Sequence, residues 1–452
     1  MEKELRRKMD SYLLEWKQSP IKKPLIVKGA RQIGKTYSIR KFGRTYNSFI
    51  EINFIDNPEY KDIFENGYNP DAIIKRISFH NPLFQFIPGN TLIFFDELQE
   101  FPDASTSLKF FAEDGRFDVI CSGSMMGINF KRISSNSVGY KTDYEMHSLD
   151  FEEFLWSKGY DDSFIEDLYS HLKEQKPFSD SQLNQMNDFF LEYATIGGMP
   201  AIIKQFNIDG TFSNIPQLQK QLLIDYEQDI TKYAEGIDKT KIKNIYHNIS
   251  TFLAKDNKKF QITKIAKNAR SRDYIGCTEW LQDAGIINLC YALRDIDFPL
   301  KGNFDASKYK VYFHDTGLLI ASLDEESADD LRRNMNLGTY KGGIYENIVS
   351  QMLVSENIDL YYYQKENSQM EIDFITRTTD SIVPIEVKAQ DGATVSLNNM
   401  INSDKYSAVR FGIKLSKKNI GFNGKFYTIP YFCTFLLKRF LKEEFVVATN
   451  HI

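Results

Sequence analysis

Cysteine is scarce, and its placement excludes two classes of small-domain chemistry. The four cysteines (Cys121, Cys277, Cys290 and Cys433) lie far apart with no CxxC pair, so neither a zinc site nor a disulfide framework is expected. The six histidines show no metal-ligand spacing. Long apolar runs are missing too. The stretch "TIPYFCTFLL" near the C-terminus has ten residues, against the roughly 20 that a spanning helix needs, so no membrane is expected. The opening "MEKELRRKMDSYLLEWK" reads as a charged amphipathic helix rather than a secretory signal, and a cytoplasmic protein is the expectation. Positive charge is not in excess either. A net charge of −5 argues against coating nucleic acid through bulk charge and leaves room only for a local basic patch. Internal repeats and low-complexity segments are absent.

What is present is an ordinary globular composition, with 42% hydrophobic and 26% charged residues. The 14% aromatic content argues against disorder. At 452 residues, a soft prior of about 150 residues per domain gives about three domains.

The most informative stretch is "LIVKGARQIGKTYSIRKFG". Residues 25–27 read as a buried strand, and Gly29-Ala30-Arg31-Gln32-Ile33-Gly34-Lys35-Thr36 then fits GxxxxGK[ST] in full. Glycines let backbone N–H groups curl round phosphates, Lys35 reaches the β and γ oxygens, and the Thr36 hydroxyl binds Mg2+. The helix that follows, starting near Tyr37, adds its positive end. The nucleotide-binding set is therefore residues 29–37, with ATP and Mg2+ as cofactors.

A second strand, "TLIFFDELQE", ends in Asp96-Glu97. Asp96 sits where a Mg2+ ligand is needed, and Glu97 where a carboxylate polarises attacking water. In "FDVICSGSMMG", Ser122 is a candidate γ-phosphate sensor and equally an ordinary strand-end serine. The order strand, phosphate loop, helix, acidic strand, polar-ended strand describes a parallel α/β sheet with crossover helices.

"KPLIVKGARQIGKT", "LIFFDELQ", "SLKFFAEDG", "SGSMMG" and "LDFEEFL" resemble a prokaryotic family of AAA-type ATPases. Its members carry a C-terminal domain of unknown function related to PD-(D/E)XK nucleases. The resemblance runs over nearly the whole chain and implies a helical lid after the ATPase core. "IGGMPAIIKQF" matches the lid segment, with Gly197-Gly198 as a tight helix junction. It also implies homo-oligomers with ATP at subunit interfaces and an arginine finger supplied by a neighbouring subunit. Many relatives have a glycine–arginine pair before "DFEEF", where this chain reads Val138-Gly139-Tyr140-Lys141. The finger is thus unassigned, and Arg132 and Arg116 are candidates that also read as surface arginines.

Helical patterns over "KIKNIYHNISTFLAK", "ITKIAKNA" and "SRDYIGCTEWLQDAG", then strands "IINLCYAL" and "KYKVYFH", suggest a winged helix-turn-helix. Lys255, Lys258, Lys259, Lys264, Lys267, Arg270 and Arg272 crowd it, which suits DNA phosphate contacts and equally a solvated face.

Beyond "SLDEESADD" the composition changes. "YKGGIYENIVSQMLV" reads as a helix carrying Glu346, and "LYYYQKEN", "EIDFITR" and "IVPIEVKAQ" read as strands. Residues i and i+2 of a strand share a face, so Glu386 and Lys388 project together. Asp373 and Glu386 would hold a metal, Lys388 would orient water, and Glu346 would complete the site. Glu371 reads as a solvated charge.

The expected architecture is α/β. An AAA-type P-loop core (1–150) has a parallel sheet, a helical lid follows (151–238), then a winged helix (239–330) and a restriction-endonuclease-like α/β domain (331–452). The leading expectation couples ATP turnover to DNA binding or Mg2+-dependent cleavage. The alternatives are an ATP-dependent switch whose end domain binds DNA or a protein without cutting, and a slowly cycling signalling ATPase.

Overall fold

The apolar runs read as buried strands are buried strands. They are β1 (Leu25–Gly29), β2 (Ser48–Asn53), β3 (Thr91–Asp96), β4 (Asp118–Ser124) and β5 (Thr142–Glu145). The computed structural model describes residues 4–124, 137–234, 238–253, 274–333, 335, 337–338, 340–389 and 392–446. Arg132 and the basic residues from Lys255 to Arg272 lie outside the described residues.

The chain divides into two units, the first made of 1–148, 229–236 and 283–285. Its five-stranded sheet has the order β2-β3-β4-β1-β5, and every neighbouring pair is parallel, as expected. Parallel strands are covered on both faces and so read as continuous apolar runs. In β3, Leu92, Ile93, Phe94 and Phe95 are fully buried, each contributing up to about 1.5–3 kcal/mol. Ile52, Phe54, Ile63, Phe95, Leu108 and Cys121 belong to one core cluster. The order sets β1 beside β4 and β4 beside β3, so their C-terminal ends converge. That edge of an open α/β sheet is where ligands bind.

The second unit holds 149–228, 237–282 and 286–452. The helices expected as a lid belong to it: Phe151–Ser157, Asp162–Lys173, Asp180–Ile196, Pro200–Asp209 and most of Ile215–Tyr233. "DFEEF" starts a helix through a reciprocal cap. The Asp150 carboxylate accepts the Glu153 amide at 2.9 Å, and the Glu153 carboxylate accepts the Asp150 amide at 3.2 Å. Gly197-Gly198 is a tight junction between helices. The Gly198 amide donates to Asp315 at 2.7 Å and its carbonyl accepts the Leu149 amide at 2.7 Å.

Eight strands form the unit's mixed sheet. They are β6 (Ile287–Leu293), β7 (Phe304–Phe313), β8 (Tyr361–Gln364), β9 (Glu371–Arg377), β10 (Ile382–Val387), β11 (Gly412–Ser416), β12 (Gly421–Phe422) and β13 (Phe426–Pro430). The order is β12-β13-β11-β10-β9-β8-β6-β7. The strand pair expected as a wing does form an antiparallel hairpin, β6–β7. It is not a separate wing, however, because β6 pairs in parallel with β8 and joins the C-terminal strands in one sheet. Helices Lys239–Leu253 and Ile275–Asp283 are present where the sequence places them. Helix Tyr340–Ser355 is buried continuously from Gly343 to Leu353. Among the described residues, no helix is long and apolar enough to cross a membrane.

A Cβ on Gly198 would fall well inside contact distance of the Leu149 backbone. Gly198→Ala is expected to cost about 1–3 kcal/mol, the usual range for overpacking. Urea melts of the two proteins check it, with Gly421→Ala as the reference for a site where a Cβ meets no atom.

Candidate nucleotide site and a second acidic cluster

The loop after β1 owes its shape to backbone that most residues avoid. Gly29 has φ 151°, and a Cβ there would collide with the Met146 carbonyl and the Ile33 side chain. Gln32 (φ 62°) and Gly34 (φ 96°) are both left-handed, and alternating hands turn successive amides toward one anion. Helix Lys35–Gly43 starts directly from this loop, aiming its N-terminus there. The loop is braced from the start of the chain: the buried Arg7 donates to the Ile33 carbonyl at 2.7 Å and the His147 carbonyl at 2.8 Å.

Lys35 is buried, and its Nζ donates to the carbonyls of Gly29 (3.0 Å) and Ala30 (2.6 Å). Burial lowers its pKa to about 8, against the opposing pull of Glu97 and Asp96.

Asp96, at the end of β3, joins the loop to the sheet. Its carboxylate accepts the Thr36 hydroxyl at 3.0 Å, the Asn53 amide group at 3.3 Å and the Glu97 amide at 3.0 Å. Ser122, from the end of β4, also donates to it. Ser122 thus touches the acid directly. Burial pushes the Asp96 carboxyl above its usual range, while Ser122 and Thr36 pull it back.

Glu97 has φ 57°, a left-handed conformation unusual for a side chain of its size. Its carboxylate accepts from the Gln99 side chain, whose own oxygen accepts the Ser124 amide at 3.1 Å. Arg31 is ion-paired with the buried Asp229. Arg116 pairs with Asp71 and Asp114 at the surface, and Tyr37 is exposed.

Comparison with known proteins fits this geometry. Residues 21–155 match the family model of the AAA domain. Over those residues the chain resembles an AAA-type domain. Residues 187–329 match a domain of unknown function, DUF8612, and residues 341–433 another, DUF4143. An uncharacterized protein of Methanocaldococcus jannaschii is 25% identical over 360 residues, covering 75% of this chain and 70% of that protein. Among solved structures, the Walker-type ATPase of Pyrococcus abyssi is 12% identical with a TM-score of 0.42, covering 71% of this chain and 96% of that one. The Orc1 protein of Aeropyrum pernix, solved in complex with DNA, is 10% identical with a TM-score of 0.25, covering 74% and 94%. Both are loose likenesses. An AAA-type domain implies a nucleotide with Mg2+, and the donor set fits it. The Thr36 hydroxyl and Asp96 carboxylate lie 3.0 Å apart, beside the loop whose end carries the buried Lys35.

The second unit places its charges differently from expectation. Lys310, on β7, is fully buried. Its Nζ lies 3.4 Å from Glu346, 2.6 Å from Glu371 and 4.0 Å from Asp373. The Tyr312 hydroxyl donates to Glu346 at 2.9 Å, and the Tyr362 ring lies 5.0 Å from the ammonium. These carboxylates hold the Lys310 pKa well above the usual lysine value despite burial. Asp373 also accepts the Val387 amide at 2.8 Å. Glu371, expected as a solvated charge, is therefore ion-paired.

Glu386 pairs instead with Lys388 at 2.5 Å, as the shared strand face implies. Its Oε2 is buried with no hydrogen-bond partner, and burial pushes its carboxyl pKa up. Among the described residues, three carboxylates come within 4.8 Å of one another only at Asp150, Glu152 and Glu356. Glu346, Asp373 and Glu386 do not converge as the expected Mg2+ trio, because Glu346 turns to Lys310 and Tyr312.

The sequence shows Lys35, Thr36, Asp96 and Glu97 through motif and spacing. It does not show Arg7, Asn53, Gln99, Asp229 or Lys310, whose partners lie far along the chain or carry no pattern. Gln99, two residues past Glu97, had the best local signal.

Lys310→Met leaves carboxylates without their cation, which for a buried pair costs about 3–5 kcal/mol. Chemical denaturation should show that loss, and Glu346→Gln in the same chain should recover part of it. Because the folded pKa is raised, the stabilisation is complete below the ordinary lysine value and disappears as pH rises through the folded one.

Proposed function

We infer that this chain binds and hydrolyses ATP through its AAA-type domain. The observation that carries the reading is the Thr36–Asp96 hydrogen bond of 3.0 Å, which joins the phosphate loop to the acidic strand. The loop amides and Lys35 hold the phosphates, and Gly29, Gly34 and left-handed Gln32 give the loop its curvature. Thr36 and Asp96 are the residues that would hold Mg2+, which when bound offsets charge on the phosphate oxygens. Ser122 and Asn53 orient Asp96. Glu97, steadied by Gln99, polarises the attacking water and takes its proton. Assembly into homo-oligomers with ATP at subunit interfaces, in the cytoplasm, belongs to the same reading.

For the second unit the geometry favours the reading without cleavage. Glu346, Glu371 and Asp373 already have an ammonium among them, and the expected metal trio is split. An ATP-driven switch whose end unit binds DNA or a protein partner agrees with that arrangement. Mg2+-dependent cutting by Asp373, Glu386 and Lys388 is the second reading, supported by the paired Glu386 and Lys388 on one strand face.

Lys35→Ala should abolish ATP binding. Glu97→Gln should keep binding and lower turnover by at least about 100-fold, the lower end for a lost general base. Phosphate release and nucleotide-binding assays read the two effects separately. Wild-type protein that binds no adenine nucleotide with Mg2+ would sink the reading.

Under the switch reading, wild-type protein with Mg2+ or Mn2+ leaves single-stranded, duplex and branched DNA uncut. Nicking that disappears in both Asp373→Ala and Lys388→Ala, with ATP turnover unchanged, would instead establish cleavage.

A further inference from the structure

The segment before "DFEEF" carries Val138-Gly139-Tyr140-Lys141 and no arginine, whereas the phosphate loop itself carries Arg31. We propose that Arg31 is the cation that acts, in cis, on the transferring phosphoryl group, and that Asp229 is its positioning residue. This rests on the ATP-hydrolysing reading above.

Arg31 sits in the phosphate loop itself, between Ala30 and left-handed Gln32. Its guanidinium is ion-paired to Asp229, 198 residues downstream, with side chains 32% and 10% exposed. Arg31 precedes Lys35 by four residues in the same loop, the loop whose lysine and threonine face the phosphates. A guanidinium carries its N–H donors in one fixed plane, so anchoring it on a buried carboxylate fixes the direction of the whole group.

Asp229 is itself fixed relative to the acidic strand. Three and four residues on, Lys232 and Tyr233 hold Glu100 at 3.0 and 2.9 Å, and Glu100 follows Glu97 by three residues. The Glu100 amide in turn donates to the Glu97 carbonyl at 2.9 Å, so the helix that carries Asp229 is tied to the turn that carries Glu97.

In the reaction water attacks the γ-phosphorus, its proton passes to Glu97, and the bond to the β-phosphate oxygen breaks to give ADP and inorganic phosphate. Charge grows on the bridging oxygen as that bond breaks. Arg31 offsets it there, so its contribution appears in turnover more than in binding.

The test uses the full chain and compares steady-state hydrolysis of Mg-ATP by wild type, Arg31→Ala, Arg31→Lys, Asp229→Asn and Asp229→Glu. Arg31→Ala should lower kcat by about 10³-fold, the lower end for a catalytic arginine, with KM changed by less than about threefold if Lys35 and the amides keep binding. Arg31→Lys keeps the charge without the fork; it should still lose most of kcat and carries the test should Arg31→Ala fold poorly. Asp229→Asn should lower kcat with little change in KM, and Asp229→Glu should recover much of it. Either arginine variant with wild-type kcat, or Asp229→Asn turning over faster than wild type, overturns the assignment while the ATPase reading stands. Wild-type protein that turns over no ATP removes both.

Discussion

A carboxylate taken out of water must be compensated on the spot, and Asp96 shows what that demands of a fold. It is only 2% exposed, and an uncompensated charge at such a position costs several kcal/mol. Its four donors come from the loop helix (Thr36), the end of β2 (Asn53), the end of β4 (Ser122) and its own following amide. Those donors meet only if β2, β3 and β4 are adjacent, parallel and in register, with β1 delivering Thr36 beside them. The observed register pairs Asn53 with Asp96 directly. Hydrogen bonds to a charged group contribute about 1.5–3 kcal/mol each, so the site also selects the strand order that builds it.

The second unit meets the same physical problem with a different solution. Glu346, Glu371 and Asp373 crowd one region of the sheet, and their cation is supplied by the chain, from Lys310 on β7. That choice ties β7 to β9 and to helix Tyr340–Ser355 through charge as well as packing. Glu386 pairs instead with Lys388, two residues away, through one oxygen, and leaves its other oxygen without a partner. In the first unit the acid faces hydroxyl and amide donors, an arrangement that an incoming cation can join. In the second the acids already have an ammonium among them.

How much of this was legible follows from distance along the chain. Strands β1, β3 and β4 were visible because buried parallel strands are continuously apolar. The phosphate loop was visible because its chemistry needs glycines and Lys35-Thr36 at fixed spacing. The hairpin β6–β7 was visible as two apolar runs around a polar loop. Its parallel pairing with β8 was not, since parallel neighbours share no turn to mark them, and so the hairpin read as a wing. Lys310 was invisible for a related reason. In "KYKVYF" it alternates just as Lys308 does, yet Lys310 is buried and Lys308 is not. Only the strand's place in the sheet separates the two.

Local propensity and observed conformation disagree most tellingly at Gln32 and Glu97. Neither residue favours left-handed backbone, which costs a non-glycine side chain about 1–2 kcal/mol, and both adopt it. Glycine would relieve the strain at either position but would remove a side chain from the site. At Glu97 the turn swings the carboxylate off the line of β3, where Gln99 receives it, while Asp96 keeps the strand's direction toward Thr36. Adjacent acids on a regular strand would point to opposite faces, and only one could then serve the loop. The left-handed turn keeps both at the same edge of the sheet, with Asp96 on Thr36 and Glu97 on Gln99.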